Sequence, residues 1–147
     1  MHSILVALND SVSSRTLLDY LGNLPIHPEE WHTTLLHVFR EPLAGKELMG
    51  DKFMRQQPSK LLTMLEKAKD KLVDKGFDPS KIDVELVTEN YPTASDGIID
   101  LLKRRDFDMV VIGRKRMSKA EEFVLGDASI KLVRAVQGTA VLVVKSV

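Results

Sequence analysis

Short apolar runs alternate with helical stretches along the whole chain, and this alternation limits the possible folds more than any other feature. Five runs are typical of strands: SILVAL (3–8), TTLLHVF (33–39), KIDVELV (81–87), FDMVVIG (107–113) and TAVLVV (139–144). After each of the first four runs, apolar residues recur at helical spacing. Strict alternation of this kind predicts right-handed crossovers, a parallel sheet and helices on both of its faces.

The polarity of each run predicts its place in the sheet. The first and fourth runs are apolar throughout, as expected for central strands that are buried on both faces. The third run alternates apolar residues with Asp83 and Glu85, which is typical of an edge strand. The sequence therefore predicts one doubly wound α/β domain over residues 1–147, with five parallel strands in the order 3-2-1-4-5 and four helices.

The second helix has the clearest pattern. It is predicted to begin after Pro58 and Ser59 and to end at Gly76, a usual place for a left-handed cap. Residues 40–58 have no clear period and are interpreted as a long connection. The apolar stripe of the helix consists of Leu61, Leu65, Ala68 and Leu72.

Composition excludes several classes of protein. The chain has no cysteine, so disulfides and thiolate chemistry are ruled out, and we expect a cytoplasmic protein without a secretory signal. Its 21 basic residues equal its 21 acidic residues, so no nucleic-acid partner is expected. No apolar run approaches the length of a membrane span, and we expect no membrane association. The four histidines show no metal-like spacing, so no metal site is predicted.

The predicted topology gives the place of a ligand. The chain leaves strands one and four in opposite directions, which opens a crevice at the carboxyl ends of these strands. Asn9, Asp10 and Ser11 follow strand one, and residues 113–129 follow strand four. A ligand is expected between these two segments.

Four segments, ILVALNDS, LLHVF, DMVVIG and GTAVLVVK, occur in an order and spacing that resembles the universal stress protein family over essentially the full chain. The resemblance implies a universal stress protein domain over residues 1–147, with a Rossmann-like fold of the adenine nucleotide alpha hydrolase type. It also implies a role in the stress response. Nucleotide-binding members carry the motif G-x2-G-x9-G-[ST] after strand four, and its glycines let the backbone wrap around the phosphates.

This chain matches the motif only in part. Gly113 and Gly126 occupy the first and third glycine positions, but Arg116 replaces the second glycine and Asp127 replaces the serine or threonine. An arginine brings a long side chain into space that a glycine leaves open. Asp127 is expected to cap the helix that follows, which would use the amide donors that a phosphate needs. Ser129 still matches a frequent hydroxyl position.

The first loop also departs from the family. Asn9 stands where an aspartate commonly contacts the nucleoside, and Asp10 stands where the family has a glycine. Two interpretations follow. In the first, the protein is a non-enzymatic stress-response regulator without a cofactor that acts on an unidentified protein partner, with nucleotide binding weak or lost.

In the alternative, the chain binds ATP with Mg²⁺ in the same crevice and hydrolyses it slowly, and Lys115, Arg116 and Lys119 compensate by charge for the missing glycine. No catalytic residues are predicted in either case. The candidate crevice residues are Leu8, Asn9, Asp10, Ser11, Val38, Gly113, Arg116, Gly126, Asp127, Ala128 and Ser129.

The last strand indicates self-association. A continuous apolar edge strand leaves its backbone open to pairing with another chain. In the family this strand pairs antiparallel with its copy, and a twofold mate would remove the edge. We therefore predict a homodimer through Ala140, Val141, Leu142, Val143 and Val144.

Overall fold

A computed structural model describes residues 1–9, 12–39, 45–114, 119–120 and 128–146 of the chain. It contains one five-stranded parallel sheet in the order β3-β2-β1-β4-β5, so the predicted order is confirmed. The strands are β1 (His2–Ala7), β2 (Trp31–Val38), β3 (Ile82–Val87), β4 (Met109–Arg114) and β5 (Ala140–Lys145).

Four helices connect these strands within the described residues, as the sequence predicts. They are α1 (Val12–Asn23), α2 (Gly45–Asp74), α3 (Ala94–Arg104) and α4 (Ala128–Ala135). Short 3₁₀ turns at Pro28–Glu30 and Pro79–Lys81 precede β2 and β3.

The helices cover both faces of the sheet. Successive side chains of a strand point to opposite faces, so each layer of helices packs on alternate residues of the same strand. Ile4 and Val6 of β1 pack with α1 and α2 in one apolar cluster, in which Leu17, Leu65 and Leu72 are fully buried. Leu5, between them in sequence, packs on the other face with residues of α3 and α4. This two-sided burial accounts for the continuous apolar run that marks β1 in the sequence.

Helix α2 begins much earlier than predicted. It starts at Gly45, so residues 45–58 are helical and Pro58 lies inside the helix rather than before it. The sequence GKELMGDKFMRQQ is rich in good helix formers, but it lacks the apolar stripe by which a buried helix is recognised. The prediction of a long connection is therefore wrong for residues 45–58. Residues 40–44 lie outside the described part of the chain.

The ends of two helices agree with their local sequence. Gly76, two residues after α2, has a φ of 103°, as expected for a left-handed cap. Helix α3 begins with a capping box, in which the Thr93 hydroxyl accepts a hydrogen bond from the Asp96 amide and the Asp96 carboxylate accepts one from the Thr93 amide. These two ends fix where α2 leads into β3 and where α3 begins.

Among the described residues, no helix is both long enough and apolar enough to cross a membrane.

Candidate functional site

Strand register brings parts of the predicted crevice to one edge of the sheet. Ala7, the last residue of β1, lies opposite Leu36 of β2 and Ile112 of β4. One or two residues after these three positions come Asn9, Val38 and Gly113. All three therefore lie at the carboxyl edge of the sheet, around the end of β1. This is the edge at which parallel α/β sheets bind ligands.

Leu8 ends the pairing of β1 with β2. Its amide donates to the Leu36 carbonyl at 2.7 Å, and its carbonyl lies 2.6 Å from Nδ1 of His37. Since a carbonyl can only accept, Nδ1 carries the proton in this contact. His37 therefore holds the end of β1 by a side-chain hydrogen bond.

Asn9 is bound to the first turn of α1. The Asn9 amide donates to Oγ of Ser14 at 2.8 Å, and the same Oγ lies 2.5 Å from the Asn9 carbonyl oxygen and 2.9 Å from Asn9 Oδ1. The single hydroxyl proton of Ser14, which is buried, serves one of these two acceptors at a time. The residue at the family's nucleoside position is thus part of the turn between β1 and α1.

Val38 lies on the sheet face that carries α3. It is buried in the cluster with Ile98 and Leu101, and Tyr91 packs against that cluster. A Cβ added at Gly97 would lie 3.0 Å from side-chain atoms of both Val38 and Tyr91. Glycine at position 97 therefore allows α3 to lie directly against the end of β2.

The Tyr91 phenol is held by two carboxylates. Its hydroxyl donates to Asp100 Oδ2 at 2.5 Å and lies 3.1 Å from Glu89 Oε2. The hydrogen bond to Asp100 is the main cause that raises the pKa of Tyr91 to about 12, with desolvation and Glu89 adding to it. The phenol is therefore a protonated donor at neutral pH.

An ion pair joins α3 to α4 near this edge. Lys131 Nζ lies 3.7 Å from Asp96 Oδ1 and 3.4 Å from the Thr93 hydroxyl. The hydrogen bond from Thr93 is the largest cause that lowers the pKa of the Asp96 carboxyl, and Lys131 lowers it further. The Asp96 carboxylate is thus held at the start of α3 by these contacts.

Strand β4 does not stop at the glycine that the sequence suggests. Gly113 pairs with Val144, and the strand continues through Arg114, whose carbonyl accepts from the Ser146 amide at 2.8 Å. Among the described glycines, only Gly76 and Gly138 have a positive φ, so Gly113 is an extended strand residue. The segment that could surround a phosphate begins only after Arg114.

The remaining crevice predictions divide into two groups. Ala128 is exposed at the first position of α4, and Ser129, next to it, is buried. The other five positions lie outside the described residues, and so does the predicted helix cap at position 127: they are Asp10, Ser11, Arg116, Gly126 and Asp127.

Strand β5 lies at the edge of the sheet, as predicted. Its inner side pairs with β4 over its whole length. Val144 is buried, whereas Val143 has 37% of its surface exposed and Val141 and Leu142 are half-buried. The other edge strand, β3, carries the carboxylates of Asp83 and Glu85 instead.

In the described part of the chain, no three or more histidine, aspartate or glutamate side chains converge as metal ligands would. His32 Nε2 lies 2.9 Å from Asp83 Oδ2.

The sequence pattern gave no sign of the contacts made by His37 and Ser14. Neither residue belongs to a ligand motif, and each bonds a residue at the end of β1 only because the sheet or the helix turn brings it there. The Asn9 to Ser14 spacing at a strand-to-helix turn is the one signal that could have indicated a local side-chain bond.

Comparison with known proteins agrees with this fold. The sequence profile of the universal stress protein family matches residues 1–145. A search of curated protein sequences found no match.

Several solved structures share the architecture. A universal stress protein in complex with cAMP is 18% identical, with a TM-score of 0.69 and coverage of 97% of this chain and 95% of that chain. The universal stress protein UspA from Lactobacillus plantarum is 13% identical, with a TM-score of 0.70 and coverage of 97% of both chains. The universal stress protein from Archaeoglobus fulgidus in complex with dAMP is 15% identical, with a TM-score of 0.61 and coverage of 99% and 98%.

These structural matches are too distant in sequence to show more than the fold, but the profile extends over nearly the whole chain. The protein belongs to the universal stress protein family.

Proposed function

We propose that this protein is a homodimeric stress-response regulator that acts through protein contacts in the cytoplasm, and that its nucleotide binding is weak or lost. The observation that carries the proposal is that β5 is an apolar edge strand on which, among the described residues, Val143 is exposed. A monomer would leave this edge open to pairing with other chains.

The backbone of β5 supports a twofold partner. The amides of Ala140 and Ser146 donate inward to the carbonyls of Asp108 and Arg114, at 3.0 and 2.8 Å. In a parallel ladder the backbone groups of alternate residues point to alternate sides, so Val141, Val143 and Lys145 point their amides and carbonyls outward. Antiparallel pairing with a second copy, centred on Val143, would satisfy these groups.

Val143→Pro tests this arrangement. Proline removes an outward amide and blocks pairing, but it leaves the ladder between β5 and β4 intact. We expect the variant to sediment as a monomer while keeping the circular dichroism of the wild type. Val143→Thr is the matched control, because it keeps both the amide and the β-branched shape, and it should remain a dimer. If the proline variant stays dimeric, β5 is not the interface.

The contacts of Asn9 support weak nucleotide binding. An amide at position 9 could bond a ribose hydroxyl, but the oxygen of this amide lies 2.9 Å from the Ser14 hydroxyl. A nucleotide that bound this oxygen would replace its hydrogen bond to Ser14, and the loss of that bond would cost about 1 kcal/mol of binding free energy. Arg116 and Asp127 add the sequence-based argument that a phosphate would find less room and fewer amide donors.

A second candidate function is ATP binding with Mg²⁺ and slow hydrolysis. It is favoured by the likeness to universal stress proteins whose structures contain cAMP and dAMP. In this case Lys115, Arg116 and Lys119 would supply charge to the phosphates.

Calorimetric titration of Mg·ATP separates the two functions. We expect the wild type to bind more weakly than about 1 mM, and Arg116→Gly combined with Asp127→Ser to bind at least about 100-fold more tightly, a gain of about 2.7 kcal/mol. Lys119→Ser changes a charge in the same segment outside the motif, and we expect it to leave the weak binding of the wild type unchanged. Micromolar binding by the wild type that Lys119→Ser weakens would establish the second function instead.

A further inference from the structure

A groove runs between α1 and α2 on the face of the sheet opposite α3 and α4. Its volume is about 260 Å³. Leu8, Leu18 and Ala68 line the groove, and all three are buried in the core cluster of that face. Met64 lines the groove and is half-buried. An apolar body of the right size would therefore contact apolar surface along the groove.

The rim of the groove is cationic. Arg15 comes from α1, and Lys67 and Lys71 come from successive turns of α2. Lys71 is paired, with Nζ 2.8 Å from Asp19 Oδ1, and this hydrogen bond is the main cause that lowers the pKa of the Asp19 carboxyl.

Arg15 and Lys67 differ from Lys71 in their environment. Both are exposed, and neither has a carboxylate within 4.0 Å among the residues that the structure describes. Three cations thus line the groove beside its apolar residues, and Asp19, which pairs with Lys71, lies outside the lining. This is the charge pattern that complements an anion attached to an apolar body.

We propose that this groove binds a small amphipathic anion, with its single carboxylate between Arg15 and Lys67 and its apolar body on Leu18 and Ala68. A cavity of about 150 Å³ holds benzene, which has six heavy atoms. At that density, a groove of 260 Å³ accommodates about ten heavy atoms, the number in octanoate. The volume is smaller than the range of about 300–1,000 Å³ typical of pockets for larger ligands and cofactors.

The groove is separate from the nucleotide crevice of the family. The two share Leu8 and Asn9 at the end of β1, but the rest of the groove is formed by the facing sides of α1 and α2. The crevice lies instead between the ends of β1 and β4. The inference therefore does not depend on whether the protein binds ATP.

Octanoate is the probe, and 1-octanol is its uncharged counterpart. Titration of the full chain, followed by amide chemical shifts, should show octanoate binding with a dissociation constant of about 1 mM or below. The shifts should be confined to amides around Leu8, Ser14, Leu18 and Ala68. Octanol should bind at least about 10-fold more weakly, and 1 M NaCl, which shortens the screening length to about 3 Å, should weaken octanoate binding.

Charge reversal tests the rim. Lys67→Glu should weaken octanoate binding by at least about 10-fold. Lys69→Glu introduces the same charge change two residues along α2 but outside the groove lining, and it should bind as the wild type does. Ala68→Trp adds bulk to the lining and should abolish binding in protein whose thermal melt and amide spectrum match those of the wild type.

Each alternative result is distinguishable. Equal binding of octanoate and octanol, or equal effects of Lys67→Glu and Lys69→Glu, would overturn the role of the rim. No shifts at millimolar octanoate, or shifts centred on Val38 and Gly113, would overturn the site. Displacement of octanoate by ATP would show that the groove belongs to the nucleotide site, and it would overturn the inference of a separate ligand.

Discussion

The two edges of the sheet, β3 and β5, differ in charge and in what their neighbouring strands contain. On β3, Asp83 lies 2.9 Å from His32, and Glu85 accepts two hydrogen bonds from Arg105, at 2.7 and 2.9 Å. On β5, Val141, Leu142 and Val143 form a run with no charged residue, and Val143 is exposed.

The strands next to these two edges also differ, in the polarity of their buried side chains. β2, next to β3, carries Thr33 and Thr34, which are fully buried. β4, next to β5, carries Val110, Val111 and Ile112 at its centre. Charge on an edge strand discourages pairing with other chains, whereas an apolar edge invites it. The difference fits the proposed homodimer, in which the β5 edge is covered and the β3 edge remains in solvent.

The largest expected effect comes from giving β5 the character of β3. In Val143→Glu, two carboxylates would face each other across the twofold axis, and like charges directly opposite are destabilising. We expect the dimer dissociation constant to rise at least about 100-fold, or about 2.7 kcal/mol. Analytical ultracentrifugation measures it. Leu62→Glu changes another exposed apolar residue, on α2, and should leave the dimer unchanged.

The reverse change should give β3 the character of β5. Removing both carboxylates in Asp83→Val with Glu85→Val leaves an uncharged edge next to outward backbone groups. We expect species larger than a dimer in size-exclusion chromatography with light scattering. Asp83→Asn with Glu85→Gln keeps the edge polar and should associate less. A valine variant that behaves as the wild type would mean that charge does not protect this edge.

A smaller effect is expected in the strand next to β3. The Thr34 hydroxyl has no hydrogen-bond partner among the described residues, and burying such a group costs free energy. Thr34→Val keeps the shape of the side chain, and we expect it to raise the free energy of unfolding by about 1 kcal/mol in urea denaturation. A loss of stability would show that the hydroxyl has a partner.

The smallest effect is expected from the ion pair on β3. Glu85→Gln removes the charge that Arg105 contacts, but both side chains are about 40% exposed, at 39% and 41%. Solvent screening limits such pairs, so we expect a loss of about 0.5 kcal/mol in the free energy of unfolding, and less in 1 M NaCl. A loss of several kcal/mol would mean that this pair holds β3 in the sheet.

Much of the fold could be predicted because burial leaves a mark on the sequence. The continuous apolar run of β1 and the alternating residues of β3 gave both their places in the sheet. The start of α2 could not be predicted in this way, because residues 45–58 have no apolar stripe and Pro58 resembles a helix start. Helix propensity alone distinguishes such a segment weakly from a connection.

The site was less predictable than the fold. Sequence spacing placed Asn9 and Gly113 at the same edge, but it gave no sign that Ser14 binds Asn9 or that β4 continues through Arg114. The α1–α2 groove was also missed, since Arg15 and Lys67 line one groove only after two helices pack side by side. Contacts of this kind depend on tertiary arrangement, which local patterns do not contain.

The most direct test of the central claim is sedimentation equilibrium of the wild-type chain over a wide range of concentrations. We predict a mass of about twice the 16.5 kDa of one chain, with dissociation only on dilution. A mass of one chain at every concentration would show that the β5 edge is left uncovered, and it would contradict the proposed homodimer.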